Sequence, residues 1–115
     1  SFAKVPRRQL GASADRAVAL TDIKGNAVTL AFGETYEDGL TLTSSASLSS
    51  IEDHLTALIE GEPQPISVNG KYLSDALANF TSDDVTLAML EPKDPIEIFG
   101  DSDPGHRVLI QSMRA

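Results

Sequence analysis

Apolar and polar residues alternate in seven short segments of the chain, and a period of two residues predicts half-buried β-strands. The alternating segments are 2–5, 28–32, 40–42, 66–68, 85–89, 96–98 and 108–110. Segments rich in glycine, proline, asparagine or aspartate predict turns at 24–26, 33–39, 92–94 and 101–105. The strands at 28–32 and 40–42, joined by a loop that contains glycine, are typical of a β-hairpin.

Two other segments place apolar residues three or four positions apart, which is the spacing of an amphipathic helix. The first helix is predicted from about Pro6 to Leu20, and Pro6 suits a first turn. The second helix follows the strand at 66–68 directly, with Asn69 as its predicted N-cap. Its apolar positions are Tyr72, Leu73, Ala76, Leu77 and Phe80.

The segment between these units, residues 49–61, carries conflicting signals. Ser49 and Glu52 fit a capping box, and the segment ends at a glycine, as helices often do. Its apolar residues also have helical spacing. They are Ile51, Leu55, Leu58 and Ile59. Local signals therefore favour a helix, whereas the alternation expected of a strand is weak between His54 and Ile59.

The order of short strand, polar break and helix occurs twice, at a separation of 63 residues. The matching pairs are Val5 and Val68, Arg8 and Lys71, and Leu10 and Leu73. This repeat predicts two pseudo-equivalent halves, about 1–61 and 62–115, within a single domain. The helices would then pack on one face of an antiparallel sheet, which is an α+β arrangement.

The composition is that of one globular domain. The chain has 115 residues, 41% of them hydrophobic, and no cysteine. This length allows one sizeable core. The absence of cysteine excludes a disulfide framework, thiolate zinc sites and cysteine nucleophiles. No apolar run approaches the length of a membrane span. The chain begins at Ser1, so we expect either a processed form or a piece of a longer protein.

Charge is distributed unevenly along the chain, whose formal net charge is −8. Residues 1–24 hold five basic and two acidic residues, a net charge of +3. Residues 25–115 hold four basic and fifteen acidic residues, a net charge of −11. This asymmetry indicates one face that tolerates a polyanion on a body that repels it. Charge alone favours a different interpretation, a solubilising acidic surface.

No arrangement of residues predicts a catalytic, metal or cofactor site. The segment 69–71 lacks the second glycine and the hydroxyl residue of a phosphate-binding P-loop, which favours a capped strand-to-helix turn. His54 and His106 are not at metal-ligand spacing. The segment 101–105 has the first acidic positions of a calcium loop but not its later ligands, which favours a turn.

The segment PISVNGKYLSDALANFTSDDVTLAM, with the final VLIQSMRA, resembles the C-terminal (third) domain of the bacterial DNA polymerase III β subunit, the β sliding clamp. In that family a strand ending in Asn leads into a helix that begins near a Tyr and continues Leu-x-Asp-x-Leu. The matching residues here are Asn69, Tyr72, Leu73, Asp75 and Leu77. A strand of the type Ser-Asp-x-Val-x-Leu follows, matched by Ser82, Asp83, Val85 and Leu87. The resemblance extends over the whole chain, but its specific motifs lie in the last half.

The resemblance implies a DNA clamp fold in which a β-α-β-β-β unit is repeated twice. It implies that residues 54–61 form a strand rather than a helix, because sheet context overrides local propensity. In such rings the helices line a central hole that surrounds DNA. The basic residues at the starts of the two predicted helices would then face DNA and contact its phosphates without reading sequence. They are Lys4, Arg7, Arg8 and Lys71.

Members of this family also bind short apolar clamp-binding peptides in a groove between their second and third domains. By position, the third-domain side of this groove would consist of Asn69, Tyr72, Pro95, Leu109, Gln111, Met113 and Arg114. An apolar anchor in a desolvated pocket edged by methionine suits such recognition. The chain departs from the family where Gln111 replaces an apolar residue and where Ser112 and Ala115 replace a proline and a larger terminal residue.

The function implied by the resemblance is that of a non-catalytic DNA replication processivity factor domain without a cofactor. The implied partners are double-stranded DNA, clamp-binding motif peptides of the DNA polymerase and the clamp loader, and a second copy of the full-length protein in a homodimeric ring. No membrane is implied, and the expected location is the cytoplasm, with a bacterial or phage source. The alternative is a stand-alone protein-interaction module of clamp fold that does not encircle DNA. An enzyme ranks third, because no catalytic constellation is present.

Overall fold

The computed structural model describes residues 1–20, 27–45, 50–89 and 95–113. Ten strands and two helices lie in these ranges. In chain order they are β1 (Phe2–Pro6), α1 (Arg7–Leu20), β2 (Ala27–Phe32), β3 (Leu40–Ser45), β4 (Ser50–Leu55), β5 (Leu58–Glu60), β6 (Ile66–Asn69), α2 (Gly70–Ala78), β7 (Asp84–Ala88), β8 (Ile96–Phe99), β9 (Arg107–Ile110) and β10 (Ser112–Met113). The turns predicted at 24–26 and 92–94, the cap at Ser49 and the groove residue Arg114 lie outside these ranges.

The strands form two five-stranded antiparallel sheets. Sheet I has the order β5-β1-β7-β8-β9, and sheet II has the order β10-β6-β2-β3-β4. Exchanging β1 with β6, β7 with β2, β8 with β3, β9 with β4 and β5 with β10 converts one order into the other. The predicted α+β arrangement is confirmed, with the strands divided between two sheets rather than joined in one.

Each sheet takes its strands from both halves of the chain. The first strand of each half pairs with the second strand of the other, so that Val5 lies opposite Val85 and Val68 lies opposite Val28. The helices begin at Arg7 and Gly70, which are separated by the 63 residues of the sequence repeat. Since every sheet needs strands from both halves, the two halves stabilise each other.

Both helices and both sheets share one hydrophobic core. The helix residues in this core are spaced three or four positions apart, as the amphipathic pattern predicts. They are Leu10, Ala14, Ala17, Leu73, Ala76 and Leu77. The strand residues alternate, with Val5, Val28, Leu30, Val68, Val85 and Leu87 buried in the same core. Alternation leaves the intervening strand residues on the solvent face of each sheet.

The segment with conflicting signals forms strands and not the helix that local capping signals favour. The resemblance implies a single strand over 54–61, whereas the structure divides this segment between the end of β4 and β5. Strand β4 pairs with β3 along its whole length, from Ser50 opposite Ser45 to Leu55 opposite Leu40. Strand β5 then pairs with β1 at the edge of sheet I. Pairing with one neighbouring strand satisfies the backbone N–H and C=O groups on one side of an edge strand. This pairing outweighs the helical propensity of the segment.

The starts of the two helices differ in one detail from the sequence prediction. Pro6 belongs to β1 and lies opposite Asp84, so α1 begins one residue later, at Arg7. Asn69 caps α2 as predicted. Its side-chain oxygen accepts hydrogen bonds from the backbone N–H groups of Lys71 at 2.9 Å and Tyr72 at 3.1 Å.

Candidate functional site

The two helices lie against each other and carry basic residues at equivalent positions of the two halves. Arg8 and Lys71 are the second residues of α1 and α2, and both are exposed. The helices hold four basic and two acidic residues, a net charge of +2. The rest of the sequence holds five basic and fifteen acidic residues, a net charge of −10. The helix layer is therefore the part of the molecule suited to approach a polyanion.

Arg8 and Lys71 present their charges to solvent. Within the described ranges, Arg8 has neither an ion-pair nor a hydrogen-bond partner. Lys71 Nζ lies 3.6 Å from Asp75 Oδ2, one helical turn further on, and the two side chains are 69% and 63% exposed. An ion pair as exposed as this contributes little and does not hold the lysine in place.

The other two predicted DNA-facing residues have structural contacts. Arg7 Nε donates a hydrogen bond of 2.7 Å to the carbonyl oxygen of Ser82, and its backbone N–H donates to the carbonyl of Asp83 at 2.8 Å. Lys4 lies on the solvent face of sheet I, where its Nζ is 3.4 Å from Asp101 Oδ2. The structure thus brings Arg7, but not Lys4, close to the exposed cations of the helix layer.

Sequence reasoning missed an anchor that ties α1 to the edge strand β4. The buried Ser13 Oγ donates a hydrogen bond of 2.6 Å to Asp53 Oδ2, and Arg16 Nη2 donates to the same oxygen at 2.7 Å. The Ser13 hydrogen bond, together with the Arg16 guanidinium, lowers the pKa of Asp53 below its ordinary value. Arg16 is therefore held by the protein and contributes less to the open charge of the helix layer than Arg8 does.

A shallow groove runs between the two helices, with a volume of about 290 Å³. Gly11, Ala12 and Ala78 keep it open because their side chains are small. A Cβ added at Gly11 would meet no atom within 4 Å. The groove also contains a hydrogen bond from the hydroxyl of Ser74 to Asp15, which links the two helices. Arg7 and Arg8 line the same groove.

A second anchor joins the loop 101–105 to the segment between α2 and β7. The Asp103 carboxylate accepts hydrogen bonds from the backbone N–H groups of Thr81 and Ser82 at 3.0 Å and 2.9 Å, and from both hydroxyls. These bonds, from Ser82 first, hold the pKa of Asp103 well below its ordinary value. His106 packs beside this loop against Phe80, with 4.5 Å between the ring centroids. The loop is a turn, as its sequence favours.

The predicted peptide-binding residues separate into two neighbouring groups. The first lies where β6 enters α2 and consists of Asn69 and Tyr72, beside the short strand β10 that contains Met113. Tyr72 is 63% exposed, although its helix is packed in the core. Met113 lies opposite Ser67, directly after the exposed Gln111 and the half-buried Ser112.

The second group lies on the solvent face of sheet I. Leu109 is 66% exposed and lies opposite Glu97 of β8. Pro95 and Leu109 line one cavity of about 510 Å³. Because Gln111 follows Leu109 by two residues, the end of β9 connects this cavity to the first group. Arg114 lies outside the described part of the chain.

The described part of the chain contains neither a metal cluster nor a membrane-spanning helix. No group of three histidine, aspartate or glutamate side chains within it is placed to hold a metal ion. The helices found there are not long and apolar enough to cross a bilayer.

A sequence-family model matches nearly the whole chain. The model describes the C-terminal domain of the DNA polymerase III beta subunit and matches residues 2–114. Among curated protein sequences, none matches the chain.

Solved structures of bacterial sliding clamps have the same fold. The Caulobacter crescentus beta sliding clamp, solved with a polyethylene glycol in a region proposed to tether the beta-motif, superposes with a TM-score of 0.88 at 21% identity. DNA polymerase III beta subunit from Thermotoga maritima gives 0.87 at 20% identity. The Bartonella birtlesii clamp bound to griselimycin gives 0.88 at 24% identity. Each comparison covers 99% of this chain and 30% of the other chain. The chain therefore spans less than a third of the length of these proteins.

Proposed function

The chain belongs to the family of the C-terminal domain of the DNA polymerase III beta subunit, and we propose that it acts as one domain of a sliding clamp. The complete protein would form a homodimeric ring around double-stranded DNA and make a DNA polymerase processive. The observation that carries the proposal is the match of the family model to residues 2–114. The proposed role is non-catalytic and implies a cytoplasmic location, where the bacterial chromosome is replicated.

The proposed DNA-facing surface is the helix layer. The helix layer has a net charge of +2, whereas the rest of the sequence has a net charge of −10. This difference favours the approach of phosphates to the helix layer and disfavours it elsewhere. Arg8 and Lys71 would contact phosphates directly, one from each pseudo-equivalent half. Arg7 would contribute through its position in the groove between the helices. Such contacts carry no sequence information, so they allow a ring to slide.

The proposed docking site for clamp-binding peptides lies where β9 leads into β10 and β6 leads into α2. Tyr72 and Leu109 supply exposed apolar surface on its two sides, and Met113 lies in β10, which pairs with β6. Asn69 is the N-cap of α2 and lies where β6 leads into the helix. Pro95 lines the cavity beside Leu109. Large exposed apolar side chains of this kind are typical of protein-binding surfaces.

Two departures from the family pattern also lie in this proposed site. Gln111 and Ser112 would give it a more polar lining. Two of the similar clamps bind small molecules: one holds a polyethylene glycol in a region proposed for beta-motif tethering, and another holds griselimycin.

Primer extension by the replicative polymerase of the same organism tests the proposal. The full-length protein, loaded on a primed single-stranded circle by its clamp loader, should lengthen the products made in a single binding event. The same reaction without clamp loader is the control. Products of equal length with and without the full-length protein would show that it is not a processivity factor.

A further inference from the structure

The solvent face of sheet I carries large exposed apolar side chains as well as charged ones, and we call it the apolar face. Strand register sets its side chains in two rows that cross the sheet. The first row is Glu60, Phe2, Ala88, Glu97 and Leu109, and the second is Leu58, Lys4, Thr86, Phe99 and Arg107. Phe2, Leu58 and Leu109 are 43%, 58% and 66% exposed. Exposed apolar side chains thus lie at both edges of the sheet, on β5 and β9, and on β1 between them, with Glu97 separating Leu109 from the others.

Sheet II has the same topology but a different solvent face. Its solvent face carries mostly hydroxyl, charged and small side chains, and the hydroxyls of Thr29 and Ser67 hydrogen-bond to each other at 2.9 Å. The same face also carries Thr41, Thr43, Glu52 and His54, together with Ala27, Ala31 and Met113. Because the fold is built with a polar face on one sheet, it does not require the apolar face of the other. The apolar face of sheet I indicates a contact with another molecule.

Two cavities divide this apolar face and share Phe2 as a wall. The larger one, about 510 Å³, extends from Phe2 to Pro95 and Leu109, the residues of the proposed peptide site. The smaller one, about 290 Å³, lies between Phe2 and Leu58 at the opposite edge of the sheet. The proposed peptide site and the smaller cavity are therefore parts of one surface.

The charges around the cavities restrict what can bind in them. In the larger cavity the Arg107 guanidinium forms an ion pair with Glu97 and stacks over the Phe99 ring at 4.7 Å. Its charges are therefore compensated, which suits a neutral apolar side chain. Lys4 and Glu60 line the smaller cavity; Lys4 forms an ion pair with Asp101, whereas Glu60 has no ion-pair partner in the described part of the chain. An occupant there gains from a basic group.

We propose that this face binds the segment that flanks the docking motif of a clamp-binding partner. The segment would place a second apolar side chain between Phe2 and Leu58 and a lysine or arginine beside Glu60. Continuity of the two cavities with the docking site and the uncompensated charge of Glu60 identify this occupant. The inference rests on the proposed docking function and extends it from one apolar anchor to two.

Strand spacing fixes the distance between the two anchors. Neighbouring strands lie about 4.8 Å apart, and the centres of the two cavities are separated by about two strand intervals, or roughly 10 Å. Extended chain covers about 3.3 Å per residue, so about three residues span this distance. The second anchor should therefore lie about three residues outside the docking motif.

Fluorescence anisotropy with three labelled peptides and the full-length protein tests this inference. The first peptide carries the docking motif of the organism's replicative polymerase. The second peptide is extended at each end by three residues, of which the last two are leucine and arginine. The third peptide is extended at each end by three serines. The leucine-arginine peptide should bind about tenfold more tightly than the other two, the gain expected for one additional apolar anchor.

Variants on the two sheets show where the leucine-arginine extension binds. Leu58→Glu should remove the tenfold difference and leave the affinity for the motif peptide unchanged, since Leu58 lies at the edge away from Leu109. Thr43→Glu, on the solvent face of sheet II, is the matched control and should change neither affinity. If the motif peptide binds but the extension adds nothing, or if Leu58→Glu leaves the gain intact, the flanking-segment proposal is wrong. If the motif peptide itself does not bind, the docking function fails and the extension fails with it.

Discussion

Removal of the Asp53 carboxylate should separate α1 from the edge strand β4 and destabilise the fold. Asp53→Ala leaves the fully buried Ser13 hydroxyl without its acceptor, at a cost of about 1.5–3 kcal/mol for a hydrogen bond to a charged group. The Arg16 pair is 55% exposed on the arginine side and adds less than about 1 kcal/mol. We expect a loss of about 2–3 kcal/mol and a fall in Tm of roughly 8–12 °C.

A double-mutant cycle assigns this loss to the Ser13 hydrogen bond. Thermal and urea denaturation, followed by circular dichroism, would be measured for Asp53→Ala, Ser13→Ala and the double variant. The coupling free energy should be about 1 kcal/mol or more. Asp101→Ala, which removes only an exposed ion pair, is the control and should change stability by less than about 0.5 kcal/mol. Strict additivity of the two single variants would refute the coupling.

The pH dependence provides an independent check on Asp53. Its pKa is lowered in the folded state, so its contribution to stability is present above the unfolded value of about 3.9 and is lost as pH falls through the folded value. The difference in Tm between the wild type and Asp53→Ala should therefore be largest near neutral pH and should shrink below about pH 4. A difference that grows on acidification would contradict the assigned role.

Four further variants test other parts of the structure. Arg8→Ala and Lys71→Ala in the full-length ring should each lower the slope of log K against log salt for duplex DNA by about 0.9, because each removes one phosphate contact; unchanged slopes would place these side chains away from DNA. Leu73→Ala should cost about 2–5 kcal/mol in chemical denaturation, since Leu73 is fully buried, and a loss under 1 kcal/mol would contradict its position in the core. Asp103→Asn should flatten the acid-induced loss of Tm below about pH 4, because the pKa of Asp103 is strongly lowered in the folded state; an unchanged acid transition would exclude this contribution.

Most elements of the fold can be predicted from the sequence because their signals are local. Alternation predicts the strands, and the side chain of Asn69 caps the helix that its position indicates. Local signals fail at residues 50–60, where pairing of β4 with β3 replaces the helix that the spacing favours. They also do not reveal that β1 pairs with β7, and so do not divide the strands between two sheets.

The candidate sites were predictable only in part, because their contacts join distant residues. Arg8 and Lys71 are predicted to face DNA from their positions at the helix starts, and the structure shows that both are exposed. Nothing in the sequence pairs Asp53 with Ser13, 40 residues away. Likewise, Phe2 and Leu58 are single apolar residues in the sequence, and only strand register sets them on one face with Leu109.

Topological linkage to DNA tests the central claim most directly. The labelled full-length protein would be loaded onto nicked circular DNA, transferred to high salt, and followed before and after the circle is cut once. A sliding clamp should remain on the circle, because salt weakens its phosphate contacts but does not open the ring, and it should leave within minutes once the DNA has ends. Equal dissociation from circular and linear DNA would contradict the account.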